Sequence, residues 1–429
     1  MSAATSLFIA AVLASAALEL WLAQRQIRAV GAHRERVPAP FLGRICAAEH
    51  AKAAEYTVAK VRLGRLGTVL DAGLTLALTV GGGIAALDAL LRTSGLPQPW
   101  LGLAVIATVA AAAALVHLPL SVVSTFHLEA RFGFNRTTPL LFLADLGKGL
   151  VLTVLLGGAL ALAVLELMIH ARLWWLWAFG CWLAFTLFMT WAWPAFIAPL
   201  FNRFSPLADA ALVERIEALL IRCGFRSSGV FVIDGSRRST HGNAYFSGIG
   251  RHKRIVFFDT LLKELEAEEI EAVLAHELGH FRLHHVRRRL LVSALFGLGA
   301  FALLGHLAAR VRFYRVLGVP HPSPQAALLL FALAAPVALA FFSPLAALWS
   351  RRDELAADRF AAAHASGARL VSALVKLYRD NASTLTPDPL YVAFHYSHPP
   401  ALARIGHLSG LNRTDGAARS SDPAPDPSR

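Results

Sequence analysis

Seven apolar runs along the chain are long enough to cross a bilayer as helices: 6–23, 66–91, 101–123, 150–169, 173–193, 290–309 and 326–348. A cleavable signal competes for the first run, given Ala14-Ser15-Ala16. No basic segment precedes that run and Glu19 lies inside it, so it reads as an uncleaved span. Between the fifth and sixth spans the period of the apolar positions changes. Residues 209–223 repeat every three to four positions, as an amphipathic helix does. Val230-Phe231-Val232-Ile233 reads as a strand. So do 243–248 and 254–258, two strands joined through Gly250. A helix from Lys263 to about His284 follows.

The pattern predicts a mainly α, polytopic membrane protein that carries a small α+β domain. Its parts are an amino-terminal membrane region (1–193) with polar loops at 24–65 and 124–148, the α+β segment (194–289), two further spans (290–349) and a polar carboxy-terminal segment (350–410). The Pro-, Ser-, Asp- and Arg-rich residues 411–429 predict disorder.

Composition supports the membrane reading. The 429 residues are 56% hydrophobic and only 16% charged, against about 25% charged in soluble domains. The net charge of +13 fits Lys and Arg held on the cytoplasmic side of the spans. It does not fit nucleic-acid binding, because the basic residues flank spans and no nucleic-acid motif is present. Nine Lys and Arg against three Glu between Arg25 and Arg65 place that stretch in the cytoplasm. Seven spans then put 194–289 and everything after Ser350 on the same face. The Arg310, Arg312 and Arg315 loop falls outside and opposes the rule. Cys46, Cys181 and Cys223 form no CxxC pair and suggest neither a disulfide framework nor a thiolate metal site. Ionisable residues in or near the spans, among them Glu19, Asp71, Asp88, Asp145 and Glu166, suggest a wet interior between the helices.

The chemistry concentrates in Ala275-His276-Glu277-Leu278-Gly279-His280. Residues four apart share a helical face, so His276 and His280 can point two imidazoles at one Zn²⁺. Glu277 lies about 100° round the helix, beside the metal, where its carboxylate can take a proton from water. Gly279 costs a helix interior about 1 kcal/mol, which implies a close approach there. A catalytic zinc needs a further protein ligand, and Glu354 offers one. Asp358, one turn on, would hold a ligand histidine or share in proton transfer. Asp353 and Glu354 also read as a charged helix start. His284 and His285 read as part of an interfacial basic cluster with Arg287–Arg289 rather than as ligands. His398, fixed by Pro399-Pro400, is placed to donate a hydrogen bond to an oxyanion. A strand ahead of the metal helix can bind a peptide by β-addition, with Asn243 adding its side-chain amide.

Taken together, these pieces resemble the type I CaaX prenyl endopeptidases, integral-membrane zinc metalloproteases. The resemblance runs through Arg25-Gln26-Ile27-Arg28, Tyr56-Thr57-Val58-Ala59-Lys60, Phe132-Gly133-Phe134-Asn135, Ile197-Ala198-Pro199-Leu200-Phe201, Asn243-Ala244-Tyr245-Phe246, the His276–His280 motif, Ser350-Arg351-Arg352 with Glu354 and Asp358, and Tyr396-Ser397-His398-Pro399 with Arg404. It covers roughly residues 20–408. It implies a zincin-like domain on the cytoplasmic side of seven helices that enclose a water-filled chamber. It also implies one Zn²⁺ per chain on His276, His280 and Glu354, with Glu277 as general base. Asp358 would be the associated carboxylate, often assigned as proton donor. Asn243 would be a backbone contact to the peptide, and His398 and Arg404 substrate or transition-state contacts. The implied partners are the lipid bilayer and a peptide or membrane-protein substrate, prenylated or not, bound by a single chain. The implied location is a bacterial inner membrane, or the endoplasmic reticulum in a eukaryote. Heat-shock membrane proteases of the HtpX type are the alternative, without a prenyl requirement.

Overall fold

The computed structural model describes residues 2–247 and 252–420, the side chains of 247, 252–253 and 412–420 excepted. Six helices are long and apolar enough to cross a membrane, and a bent pair makes a seventh. The first six are Ala3–Ala32, Trp100–Glu129, Pro139–His170, Trp174–Phe201, His285–Ala308 and Pro324–His364. The bent pair is Ala47–Leu78 with Gly83–Arg92, turned through 53°. Their large side chains face outward, as Leu7, Leu115 and Phe296 do. An outward apolar surface is what a lipid-facing helix presents.

Several boundaries differ from the sequence reading, each for a physical reason. Helices run well past the apolar runs, so most of the expected loops 24–65 and 124–148 are helical. Hydropathy marks where a helix leaves lipid and does not mark where it ends. The second span breaks at Gly81-Gly82-Gly83, where Gly82 adopts a left-handed conformation (φ 79°) that only glycine takes freely. The expected helix from Lys263 to His284 is two helices, Asp259–Glu264 and Ala267–Arg282. Glu266 starts the second with a capping box, its backbone N–H donating to the Glu269 carboxylate at 2.9 Å. The carboxy-terminal helix Ala401–Ser420 runs through the first half of the segment expected to be disordered. No proline interrupts it before Pro423. Residues 421–429, and the turn through Gly250, lie outside the described residues.

The soluble part is built on a four-stranded sheet of order β1-β2-β4-β3. Its strands are β1 (Phe204–Pro206), β2 (Arg226–Ile233), β3 (Ala244–Ser247) and β4 (His252–Phe258). β4 pairs parallel with β2 and antiparallel with β3, leaving β3 on the edge. β2 starts earlier than its apolar run because a bulge between Ser227 and Val230, with Gly229 at φ 103°, breaks the alternation. β1 is three residues ending in proline, too short to read from pattern. Ile255 and Phe257 of β4, Ile216 and Leu219, Leu274 and Leu278, and Leu370 and Leu374 form one buried core. That core locks the motif helix Ala267–Arg282 between the sheet and the helix Gly367–Asp380.

Candidate active site

The motif helix and the lower half of the last span (Ser343–His364) pack side by side, and Gly279 sits at their crossing. A methyl group on Gly279 would stand 3.2 Å from Ala357 Cα and 3.2 Å from Phe360 Cβ. The glycine therefore sets how closely the two helices approach. That approach brings Glu354 to the motif histidines. Glu354 Oε2 lies 3.3 Å from His276 Nε2, Glu354 Oε1 lies 3.4 Å from His280 Nε2, and the two Nε2 atoms are 3.3 Å apart. Among the described residues, this trio is the one set of three such ligand groups within 4.8 Å of each other.

The trio fits a metal ion. His276 turns Nδ1 to Asp358 Oδ1 at 2.8 Å, which assigns its proton to Nδ1 and leaves a lone pair on Nε2. His280 Nδ1 lies 3.0 Å from His285 Nδ1. Its Nε2 is left to face the same point. Glu354 is 2% exposed, and its Oε2 is buried without a hydrogen bond. Two imidazole lone pairs and a carboxylate aimed at one point repel unless a cation lies between them. Neighbouring ligands of a small tetrahedral ion stand about 3.3–3.4 Å apart at bond lengths of about 2.0–2.1 Å, which matches these three separations.

Each histidine has its own support. Behind His276, Asp358 is fully buried, and Arg404 grips it with Nε at 2.9 Å from Oδ2 and a second bond to Oδ1. Burial alone would lower the pKa of His276, but the bond to Asp358 and the adjacent Glu354 carboxylate outweigh it and raise it. Behind His280, His285 turns Nε2 toward Asp353 at 3.8 Å, and Asp353 also binds Arg288 and, at 3.7 Å, Arg289. Burial pushes the His280 pKa down to about 4, which keeps its ring neutral. The turn between the helices makes this contact possible. His284 takes the left-handed conformation at φ 58°, a cost of about 1–3 kcal/mol for a side-chain-bearing residue. It reverses the chain so that His285 folds back onto His280.

The residues singled out from sequence do not all meet at one surface. His276, Glu277, Asn243 and His398 line a cavity of ≈ 960 Å³. Burial raises the Glu277 carboxyl toward a proton-accepting range. Asn243 is exposed at the head of β3, its Oδ1 accepting the Ala244 N–H at 2.8 Å. His398 Nε2 lies 3.4 Å from Glu354 Oε1, and its Nδ1 is 2.9 Å from Ser397 Oγ. Arg404, expected to touch substrate, also lines this cavity but is only 6% exposed, and its guanidinium is bound to Asp358. Asp358 is sealed behind His276, where no substrate atom can reach it. His285 is 4% exposed and packed on His280, and it shares Asp353 with Arg288 and Arg289 of the basic cluster. Sequence reasoning noted Arg351 in the Ser350-Arg351-Arg352 run but gave it no role. Its Nη1 donates to Val392 O and Tyr396 O at 2.9 Å each, fixing the turn that presents His398. The readable signal was the polar run 350–354 immediately after an apolar span.

Comparison with known proteins places these features in a family. The model of the CAAX prenyl protease N-terminal domain, five membrane helices, matches residues 26–203, and that of peptidase family M48 matches 206–412. The CAAX prenyl protease 1 homolog of Arabidopsis thaliana is 37% identical over 306 residues, 70% of this chain and 71% of that one. CAAX prenyl protease 1 of Saccharomyces cerevisiae is 37% identical over 313 residues, 68% and 69% of the two chains. The human homolog is 32% identical over 340 residues, 70% and 72% of the two chains. The crystal structure of S. mikatae Ste24p superposes with a TM-score of 0.86 at 28% identity, covering 95% of this chain and 99% of that one.

Proposed function

Because the chain belongs to peptidase family M48, with the membrane domain of the CAAX prenyl proteases, and is therefore an integral-membrane metalloendopeptidase, we propose that its metal is zinc and that it cuts the C-terminal tripeptide from prenylated CaaX proteins. The observation that carries the reading is the convergence of His276, His280 and Glu354 beside Glu277 at the wall of a large cavity.

His276, His280 and Glu354 would hold the zinc, which when bound would supply Lewis acidity for the scissile carbonyl and a water. Glu277 takes the proton from the attacking water and passes it to the leaving amine. His398 donates a hydrogen bond to the oxyanion, with Arg351 holding its turn. The free edge of β3 receives the peptide backbone, and Asn243 adds its amide at the head of that strand. Asp358 and Arg404 act through His276 by fixing the ring, and neither donates a proton to the substrate. All of these groups come from one chain, which supports a monomeric enzyme. The basic residues at the span ends support a cytoplasmic site, in a bacterial inner membrane or, in a eukaryote, the endoplasmic reticulum. The relatives named CAAX prenyl protease 1 favour this reading over an HtpX-type protease.

The test is a matched pair of CaaX peptides, farnesylated and not, given to the purified protein in detergent. Chelator-sensitive cutting of the farnesylated peptide alone is expected. Equal cutting of both would assign a general membrane-protein protease instead.

A further inference from the structure

The second helix turns one face to the cavity along Thr57, Lys60, Val61, Gly64, Arg65 and Thr68. These positions recur every three to four residues and form a single stripe. Lys60 and Arg65 place two cations on that stripe. Among the described residues, neither lies within 4.0 Å of a carboxylate. Lys60 Nζ stands 5.0 Å over the Tyr56 ring, and Arg65 Nη1 donates to Gln24 Oε1 at 3.1 Å. The cavity's other charges are committed. Arg404 is spent on Asp358, Glu19 faces His395 at 3.3 Å, and Glu277 belongs to the chemistry. Two cations without an acidic partner in a concave site are a receptor for an anion.

Strand polarity says which anion. A peptide adding to the free edge of β3 pairs best antiparallel, the stronger ladder. Its carboxy-terminal end then lies at the start of β3, beside Asn243. His241, two residues before Asn243, has Nε2 at 3.5 Å from the Tyr56 hydroxyl. Tyr56 in turn carries Lys60 over its ring. The wall thus leads from the start of β3 through His241 and Tyr56 to the cationic stripe. Three extended residues beyond a cut bond reach about 10 Å along such a wall.

We propose that Lys60 and Arg65 bind the free α-carboxylate at the substrate's C-terminus, and so measure the cut to three residues from the end. This rests on the reading of the enzyme as a CaaX-directed endopeptidase. It gives that reading a polar determinant separate from the lipid.

The experiment compares farnesylated CaaX peptides ending in a free acid or in a carboxamide, with kcat/KM taken for each. The unaltered protein is expected to prefer the acid by on the order of ten-fold, the worth of a charge-assisted hydrogen bond. In Lys60→Gln, Arg65→Gln and the double variant, the acid-to-amide ratio measured within each protein falls toward one, furthest in the double variant. A misfolded variant loses both peptides together, so the ratio reports the contact and not the fold. Equal cutting of acid and amide by the unaltered protein would overturn the inference while leaving the CaaX endopeptidase reading in place. So would a ratio that survives in the double variant. Failure to cut either farnesylated peptide, with an unprenylated membrane substrate still cut, would remove the underlying reading and this inference with it.

Discussion

The two histidines of the motif helix face one point from the same helix, yet their surroundings differ. His276 is held directly by a carboxylate with no exposed surface, and that carboxylate is clamped by an arginine that is itself buried. His280 is held through a second imidazole, and the carboxylate behind it is balanced by Arg288 and Arg289, both about half exposed. A direct buried ion pair fixes a ring more rigidly than an indirect one with solvent on its far side, because water screens and competes for the exposed charges. The comparison makes His276 the more rigidly held ring and His280 the more adjustable one.

The largest effect is expected behind His276. Asp358→Ala strands the Arg404 charge, and breaking a buried pair from one side costs about 3–5 kcal/mol. It also frees the ring and should weaken metal affinity about 10–100-fold. Metal content after dialysis and thermal unfolding of the detergent-solubilised protein measure the two losses separately. If Asp358→Ala keeps its metal as tightly as His285→Ala, the comparison fails.

His285→Ala is expected to cost less. It should weaken metal affinity by about ten-fold, the low end for such supports, and leave unfolding close to that of the parent. Arg288→Ala should change stability by no more than about 1 kcal/mol, as for an exposed ion pair. Competition against a graded chelator series would place the three variants in order.

Gly279→Ala probes the shared distance. A methyl group 3.2 Å from the Ala357 backbone must push the two helices apart, because Ala357 Cα cannot rotate away. Overpacking costs about 1–3 kcal/mol, offset by about 1 kcal/mol of helix propensity. Net destabilisation of up to about 2 kcal/mol is expected, with weakened metal binding because Glu354 moves with its helix. A variant that gains stability and keeps its metal would show that Gly279 sets no distance.

How much of this was legible follows from which signals are local. The spans could be read because hydropathy accumulates over twenty residues, and all seven runs became helices. The motif was legible because His276 and His280 lie on one face of one helix. Gly279 was legible as a cost without a local reason. The reason itself, Ala357 and Phe360, lies almost eighty residues away. Glu354 and Asp358 were visible as a pair one turn apart, but helix-start chemistry explained them equally well until the fold joined them to His276. The contact of His285 with His280 was hidden because the left-handed His284 before it leaves no mark in composition. The pairing of Arg404 with an acid was hidden for a similar reason. Its partner Asp358 is 46 residues away, and sequence does not show that a charge is already neutralised.

The most direct test of the account as a whole is the Glu277→Gln variant, which removes the proton acceptor and leaves His276, His280 and Glu354 untouched. Zinc content and hydrolysis of a farnesylated CaaX peptide would be measured on the same preparation. The account predicts one zinc per chain, as in the parent, with kcat reduced about 10²–10⁴-fold, the share a positioned general base supplies. Retained zinc with undiminished hydrolysis would contradict it, because the water would then be activated by a group other than Glu277.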